Sequence, residues 1–471
     1  MSPQPMAFDQ IPPEALARLG SRVDGALLHP GHEGFTEAIR IWNGMIRKTP
    51  ALVVQPTSAS DVVAAVEFAR DNDVELSIKG GGHNIAGLAL SDGGMTIDFS
   101  RMRAVDVEVS AGTVTVQPGC TLGDVDRVTQ DQGLATTLGF VSETGVAGLT
   151  LGGGFGYLSR QFGWTVDDLL EVEIVTANGD VLRGSRDENH DLFWAIRGGG
   201  GNFGVVTEFV FRTHEIGPEV TAGLIAWPGE EAEAITSLYQ RVTESAPRDM
   251  TVVMLMRNAP PAPWLSSEYH GKPMIAFLVC HTGPLDRAAA DLAEIRAQGE
   301  PWADLLEVKE YAAHQSMLDA TLPKGMHYYW KSEFLPGLSD EMLADYRAAV
   351  EGVEAPANQL TIFHLEGALS EFDEEDGAVG NRDAEFACVI QAMWPEGGPA
   401  EANKEWVRST WSVLRRYSTG GNYINFQTDD EPDERTSASY RGNLARLAEV
   451  KAKYDPKNLF RVNRNITPAS G

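Results

Sequence analysis

Between Pro50 and about Gly217 the apolar positions fall in short runs, rich in valine and isoleucine, that stop at glycine; long helical repeats are few. The run Ala51-Leu52-Val53-Val54-Gln55 predicts a strand, because β-branched residues fit a pleated, buried surface. Ser58-Ala59-Ser60-Asp61 then offers capping oxygens to a helix over residues 62–72, whose apolar positions recur at helical spacing. Residues 74–78 alternate and predict a second strand that runs directly into Gly80-Gly81-Gly82. Further strands are expected at 95–98, 113–117, 170–176 and 205–212, with helices at 122–132 and 192–197, so this block reads as α+β.

From about Pro218 to Thr419 the texture changes. Amphipathic stretches at 230–244 and 286–297 predict helices lying on the back of a sheet, and 274–281 and 328–334 predict strands. In the last of these, alternation places Tyr329, Lys331 and Glu333 on one face and Tyr328, Trp330 and Ser332 on the other. Either face could line a pocket, and Lys331 is expected as a solvated charge. Beyond Gly420-Gly421 the glycine-rich and aromatic texture returns. A chain of 471 residues exceeds a single core, so we expect a first domain over 1–217 (core about 46–217), a second over 218–420, and a segment 421–471 that rejoins the first.

Charge narrows the function classes. The 67 acidic residues outnumber 38 basic ones, of which ten are lysine, leaving a net charge of −29. Nucleic acid is not an expected partner, because phosphate neutralisation needs a concentrated positive surface. Dispersed acidity with little lysine points to a halophilic setting, where screening relieves self-repulsion. No run approaches the apolar length of a membrane span, and the N-terminal residues show no basic and apolar leader, so neither membrane nor export is expected and the cytoplasm is. Cys120, Cys280 and Cys388 are far apart and predict buried thiols. Histidines lack metal-ligand spacing, so no metal is expected.

Chemistry concentrates at glycine. Lys79-Gly80-Gly81-Gly82-His83-Asn84 follows a predicted strand, and a loop without Cβ atoms lets consecutive backbone N–H groups converge on an anion. A tight turn is the plain alternative. A second cluster, Gly145 to Gly156, holds six glycines in twelve residues. Such density weakens regular structure and suits backbone lying against an extended ligand such as a dinucleotide. The third, Gly198-Gly199-Gly200-Gly201-Asn202-Phe203-Gly204, contains a formal GxGxxG. It is not a Rossmann fingerprint, since a helical pattern precedes it and a strand pattern follows, the reverse of what that motif requires.

These segments, SIKGGGHN, VQPGCTLGD, TGVAGLTLGGGFG with GWTVDD, LFWAIRGGGGNFGVVTEF, NYINF and YDPKNLFRVNRNI, resemble the vanillyl-alcohol oxidase and p-cresol methylhydroxylase flavoproteins, and within them the berberine bridge enzyme-like oxidases. The resemblance covers nearly the whole chain. It implies a two-domain fold with a PCMH-type FAD-binding part and an antiparallel-sheet substrate domain backed by helices. It implies FAD bound covalently through His83. Gly80, Gly81, Gly82 and Asn84 would hold the pyrophosphate, with Lys79 and Gly87 beside them. Thr144, Gly145, Gly148, Gly153 and Gly154 would flank the dinucleotide, Val206 the adenine, and Asn463 and Asn465 the flavin. Many relatives attach the flavin a second time through a cysteine about four residues before the GVxG run. Val141 stands there, which implies a single linkage and a more open cleft.

In Asn422-Tyr423-Ile424-Asn425-Phe426 a strand would put Tyr423 and Asn425 on one face, and related oxidases place a tyrosine of this motif beside the flavin. Tyr423 is the candidate base. A phenol titrating near ~10 would need its pKa lowered by about 3 units, supplied by a cation or by the flavin. The expected reaction is hydride transfer from a C–H bearing OH or NH, in a secondary alcohol, sugar or cyclic amine, to the flavin, with O2 as oxidant. A dehydrogenase using another acceptor, and a flavin-bearing scaffold for ligand binding or cyclisation, are the alternatives.

Overall fold

The computed structural model describes residues 7–350, 355, 357–373 and 375–470. Part of the N-terminal stretch considered above lies outside the described residues. The first sheet has four strands in the order Ala26–Leu28, Leu52–Gln55, Met95–Asp98, Leu76–Lys79, parallel except for its first pair. Helix Ala59–Asp71 connects two of them. It starts where Ser58 accepts the Asp61 N–H, and it buries Val62, Ala65, Val66 and Ala69. A second, antiparallel sheet runs Val105–Glu108, Thr113–Val116, Val205–Arg212, Leu169–Val175, Val181–Ser185. The strands and helices expected in this part all form, and most bounds shift by one to three residues.

The third sheet is antiparallel and has eight strands, six of which run Glu219–Pro228, Pro273–His281, Met250–Asn258, Gln359–His364, Phe386–Trp394, His327–Leu335 across it. Its two faces separate by residue parity. Val252, Met254, Met256, Leu360, Ile362, Cys388 and Ile390 pack under the helices Ala232–Ser245, Asp340–Val350 and Ala400–Leu414, forming one core. The alternate residues turn to the opposite side. The stretch expected as one helix over 286–297 forms two short ones, Leu285–Asp291 and Ala293–Arg296, which still send Leu292 and Ile295 into that core.

Strand His327–Leu335 corrects one expectation. Lys331 is buried, not solvated: its ammonium lies 2.6 Å from Glu431, 2.8 Å from Asp430 and 3.0 Å from the Thr428 hydroxyl. Arg435 bridges Glu431 and Glu333 in the same network. Ion pairs so enclosed fix geometry more than they add stability, and these fix the C-terminal segment to the sheet. That segment continues through helices Asp433–Tyr440 and Leu444–Tyr454, whose Tyr440, Leu447, Val450 and Tyr454 join the core of the second sheet. The three cysteines are buried and unbridged.

Candidate functional site

A cavity of about 430 Å3 runs from the first two sheets to the parity face of the third. Its floor is largely backbone. Gly80, Gly81, Gly82, Gly145, Gly148, Gly152, Gly200, Gly201 and Gly204 border it. Two of these glycines serve the protein itself: a Cβ on Gly81 would lie 2.5 Å from the Gly145 nitrogen, and one on Gly145 would lie 2.3 Å from the Gly81 nitrogen. The two loops therefore cross backbone to backbone. Two others face open space. A Cβ on Gly148 or Gly201 would meet nothing within 4 Å, so it would project into the room a ligand needs.

His83 sits at the end of the first loop and lines the cavity. Its ring stacks on Trp42 at 4.9 Å, and Trp42 stacks on Tyr328 at 3.7 Å. Asn43 ties these parts together, its amide donating to the Ile85 and Tyr328 carbonyls at 2.9 and 3.0 Å. Burial, with the Lys324 ammonium adding to it, lowers the His83 pKa to about 4. The imidazole is therefore neutral at pH 7 and keeps a nitrogen lone pair for bonding.

The motif Asn422 to Phe426 departs from its expected form. Ile424–Phe426 is a 3-10 turn, not a strand, so Tyr423 and Asn425 do not share a face through alternation. The turn still brings them together, with the Asn425 amide donating to the Tyr423 oxygen at 2.8 Å. The same nitrogen reaches the carbonyls of Gly148 and Leu149 at 3.2 and 3.1 Å, which fixes its orientation. Gly154 N–H gives the phenol a second donor at 2.9 Å. Gly154 has φ +76°, and a Cβ there would lie 2.3 Å from the Thr165 hydroxyl, so only glycine presents this N–H without strain. Among the described residues no cation stands beside Tyr423; Phe155, Trp164 and Phe426 surround its ring at 5.0, 5.8 and 4.8 Å. Burial raises its pKa above the ordinary tyrosine value, and the donors from Asn425 and Gly154 only partly oppose that.

Of the other candidates, Asn84, Thr144, Val206 and Asn463 line the cavity, as does Val141. Five do not. Lys79 turns away to the Ala38 carbonyl at 2.7 Å and to Asp98 at 3.3 Å, because its charge is paired within the fold. Gly87, at φ +67°, makes a turn packed on Ile46. Gly153, at φ +115°, packs on Trp164, and Gly154 acts through Tyr423. Asn465 is exposed, and its neighbour Arg464 lines the cavity instead. The helix Val146–Leu151 forms inside the second glycine cluster, against the expectation of irregular backbone; glycine bounds it at 145 and 152.

The resemblance implied a sheet over the cavity, but which of its side chains face inward was left open. Leu224, Val253, Leu255, Arg257, Leu278, Gln359, Thr361, Phe363, Val389, Gln391 and Trp330 reach the cavity from six strands. Across the sheet Arg257 pairs with Gln359, Gln359 with Gln391, and Gln391 with Trp330. The only sequence signal was alternation in 328–334, which left the choice of face open. Among the described residues no metal-binding cluster is found, and no helix is long and apolar enough to cross a membrane.

A glycine-bordered floor, a neutral histidine and a sheet roof over one cavity define a flavin-binding architecture. The FAD binding domain family matches residues 50–185, and the family described as berberine and berberine like matches 422–467. The chain is 30% identical over 463 residues to (R)-6-hydroxynicotine oxidase of Paenarthrobacter nicotinovorans, spanning 95% of this chain and 97% of that protein. The crystal structure of 6-hydroxy-D-nicotine oxidase from Arthrobacter nicotinovorans superposes with a TM-score of 0.86, covering 95% of this chain and 98% of the other. A chitooligosaccharide oxidase structure, 25% identical, gives 0.83 with 97% and 100% covered. The chain belongs to the berberine bridge enzyme-like FAD-linked oxidoreductases.

Proposed function

We propose that this FAD-linked oxidoreductase is an oxidase that takes a hydride from a substrate carbon bearing OH or NH, in a secondary alcohol, sugar or cyclic amine. The observation that carries the reading is the Tyr423 oxygen, held at the cavity wall by two donors, Gly154 N–H and the Asn425 amide. With both partners donating, the phenol's own hydrogen is left to point elsewhere, and the same two donors stabilise negative charge on the oxygen when that proton leaves. Once that proton has been lost to solvent, the Tyr423 oxygen accepts the substrate's OH or NH proton, and Asn425 positions it.

Bound in this cavity, FAD would accept the hydride and be reoxidised by O2. His83 supplies the neutral nitrogen for one covalent bond to it, and Val141 leaves no second attachment. Gly80, Gly81, Gly82 and Asn84 line the part assigned to phosphate, Gly148, Gly201 and Thr144 the middle, Val206 the adenine end, and Asn463 with Arg464 the tail side. In this reading residues 1–217 and 421–471 hold the cofactor, and 218–420 the substrate. The 67 acidic against 38 basic residues support work at high salt.

Anaerobic addition of alcohols, sugars and cyclic amines to the flavin-loaded protein in concentrated KCl tests the reading. Bleaching of the flavin by at least one substrate, followed by fast recovery on mixing with O2, is expected. Bleaching with slow recovery favours a dehydrogenase, and no bleaching with intact ligand binding favours a non-redox scaffold.

A further inference from the structure

His83 differs from three other histidines of the chain in what holds its ring. His214, His281 and His364 each meet a carboxylate, at 2.8, 2.9 and 2.7 Å. Neither ring nitrogen of His83 has a hydrogen-bond partner among the described residues, and the ring borders the cavity. Rotation about the bond that joins an imidazole to its Cβ has broad minima, so a ring without such a partner keeps its plane through packing alone.

That packing is Trp42. The indole lies within 20° of parallel to the imidazole, with 4.9 Å between ring centroids. Trp42 is buried and is itself held from two parts of the chain. Its backbone N–H donates to the Gly82 carbonyl at 3.0 Å, which pins the main chain directly before His83. Its carbonyl accepts the Gly325 N–H at 2.8 Å, and its indole N–H donates to the Leu322 carbonyl at 2.9 Å. Its ring also stacks on Tyr328, 3.7 Å away and 17° from parallel, and the Tyr328 hydroxyl donates to the Pro323 carbonyl at 2.7 Å. An indole tied at its nitrogen, its backbone and its face can neither turn nor slide. It presents the imidazole with one fixed plane.

A free nitrogen lone pair lies in the plane of the imidazole, so the plane decides where the pair points. Bond formation at carbon falls off steeply once the reacting atoms leave alignment. We propose that Trp42 is the positioning residue for flavin attachment, its ring setting the plane in which the His83 lone pair reaches the flavin. This role rests on the single His83 linkage proposed above. In that step a His83 nitrogen bonds to the 8α carbon, a C–H bond there breaks, and that hydrogen and the imidazole N–H hydrogen leave as protons. The electron pair of the C–H bond reduces the flavin ring, and O2 reoxidises it, taking up two protons to give hydrogen peroxide.

The test uses the full chain produced in a riboflavin-starved host, mixed with FAD in air and concentrated KCl. Two signals are followed: quenching of FAD fluorescence for binding, and the growth of acid-precipitable flavin for attachment. Wild type should bind and then attach. Trp42→Leu should bind FAD with wild-type affinity but attach it about 10- to 100-fold more slowly, the scale of a misaligned reacting pair. Trp42→Phe keeps a flat face but loses the tie to Leu322, and its attachment rate should fall between the two. Attachment at the wild-type rate in Trp42→Leu, or FAD binding lost together with attachment in both variants, overturns the proposal. If Trp42→Leu does not fold, Trp42→Phe decides alone: slowed attachment with unchanged binding supports the role, and a wild-type rate or lost binding removes it. Wild type that binds FAD and never attaches it removes the covalent reading itself, whereas normal wild-type attachment with an unaffected variant removes only the part given to Trp42.

Discussion

The floor and the roof of the cavity solve the same problem with opposite means. The floor is made of backbone: glycines at 80–82, 145–152 and 200–204 bring main chain to the cavity surface, and two of them let separate loops touch. The roof is made of side chains that reach in from six strands, backed by a helix-covered core. A backbone surface is intolerant of change, because almost any side chain fills it. A roof built on alternation can change its inward residues while the outward ones keep the fold. The invariant partner suits the floor, and the variable one suits the roof.

The largest effect should come from the proposed flavin anchor at the edge of the floor. His83→Ala should abolish acid-stable flavin, measured as in-gel fluorescence of denatured protein, while wild type retains it; free FAD released from denatured wild type would falsify the covalent bond. Tyr423→Phe keeps the ring in its aromatic setting and should lower the rate of flavin bleaching by about 100- to 10,000-fold, the range of general base catalysis, with flavin still bound. In wild type that rate should rise with pH into the alkaline range, because burial holds Tyr423 as a phenol; a rate that is level from neutral to alkaline pH excludes it as the base.

Gly145→Ala should cost about 1–3 kcal/mol in urea melts, since its Cβ would lie 2.3 Å from the Gly81 nitrogen, whereas Thr361→Val on the roof should cost less than that. Equal costs would erase the contrast between the two surfaces. A smaller effect is in pH. His83 has its folded pKa lowered from 6.5 to about 4, so below 6.5 the unfolded chain takes up a proton that the folded one refuses. Apoprotein stability should therefore fall between pH 6.5 and 4 and level out below, and His83→Gln should flatten that slope. An unchanged slope in the variant would place the titration elsewhere.

The same contrast explains what could be read from sequence. Glycine runs after a strand announce exposed backbone, so the floor loops and the place of His83 at the end of one were legible, and the strands at 52–55, 76–79 and 205–212 follow from β-branched-rich or alternating runs. The inward residues of the roof were not legible, because alternation within one strand says which residues share a face but not which face looks inward. That choice is made by the helices Ala232–Ser245 and Ala400–Leu414, far away in the chain. Lys331 was misjudged for the same reason: its partners Asp430 and Glu431 stand about a hundred residues later. The Tyr423 turn was missed because five residues carry no period, and Lys79, Gly87 and Asn465 were counted with neighbours in a motif whose side chains diverge.

The tail adds a matter of timing. Tyr423, Asn425, Asn463 and Arg464 all border the cavity, and the Lys451 ammonium, fully buried, reaches back to the Asn202 carbonyl at 2.6 Å and to Asp455 at 2.7 Å. Both surfaces of the cavity are synthesised before this closing piece. On the ribosome the nascent chain therefore has its glycine loops and its sheet but no finished chamber, and cofactor capture has to wait until residues near Arg464 have emerged from the exit tunnel.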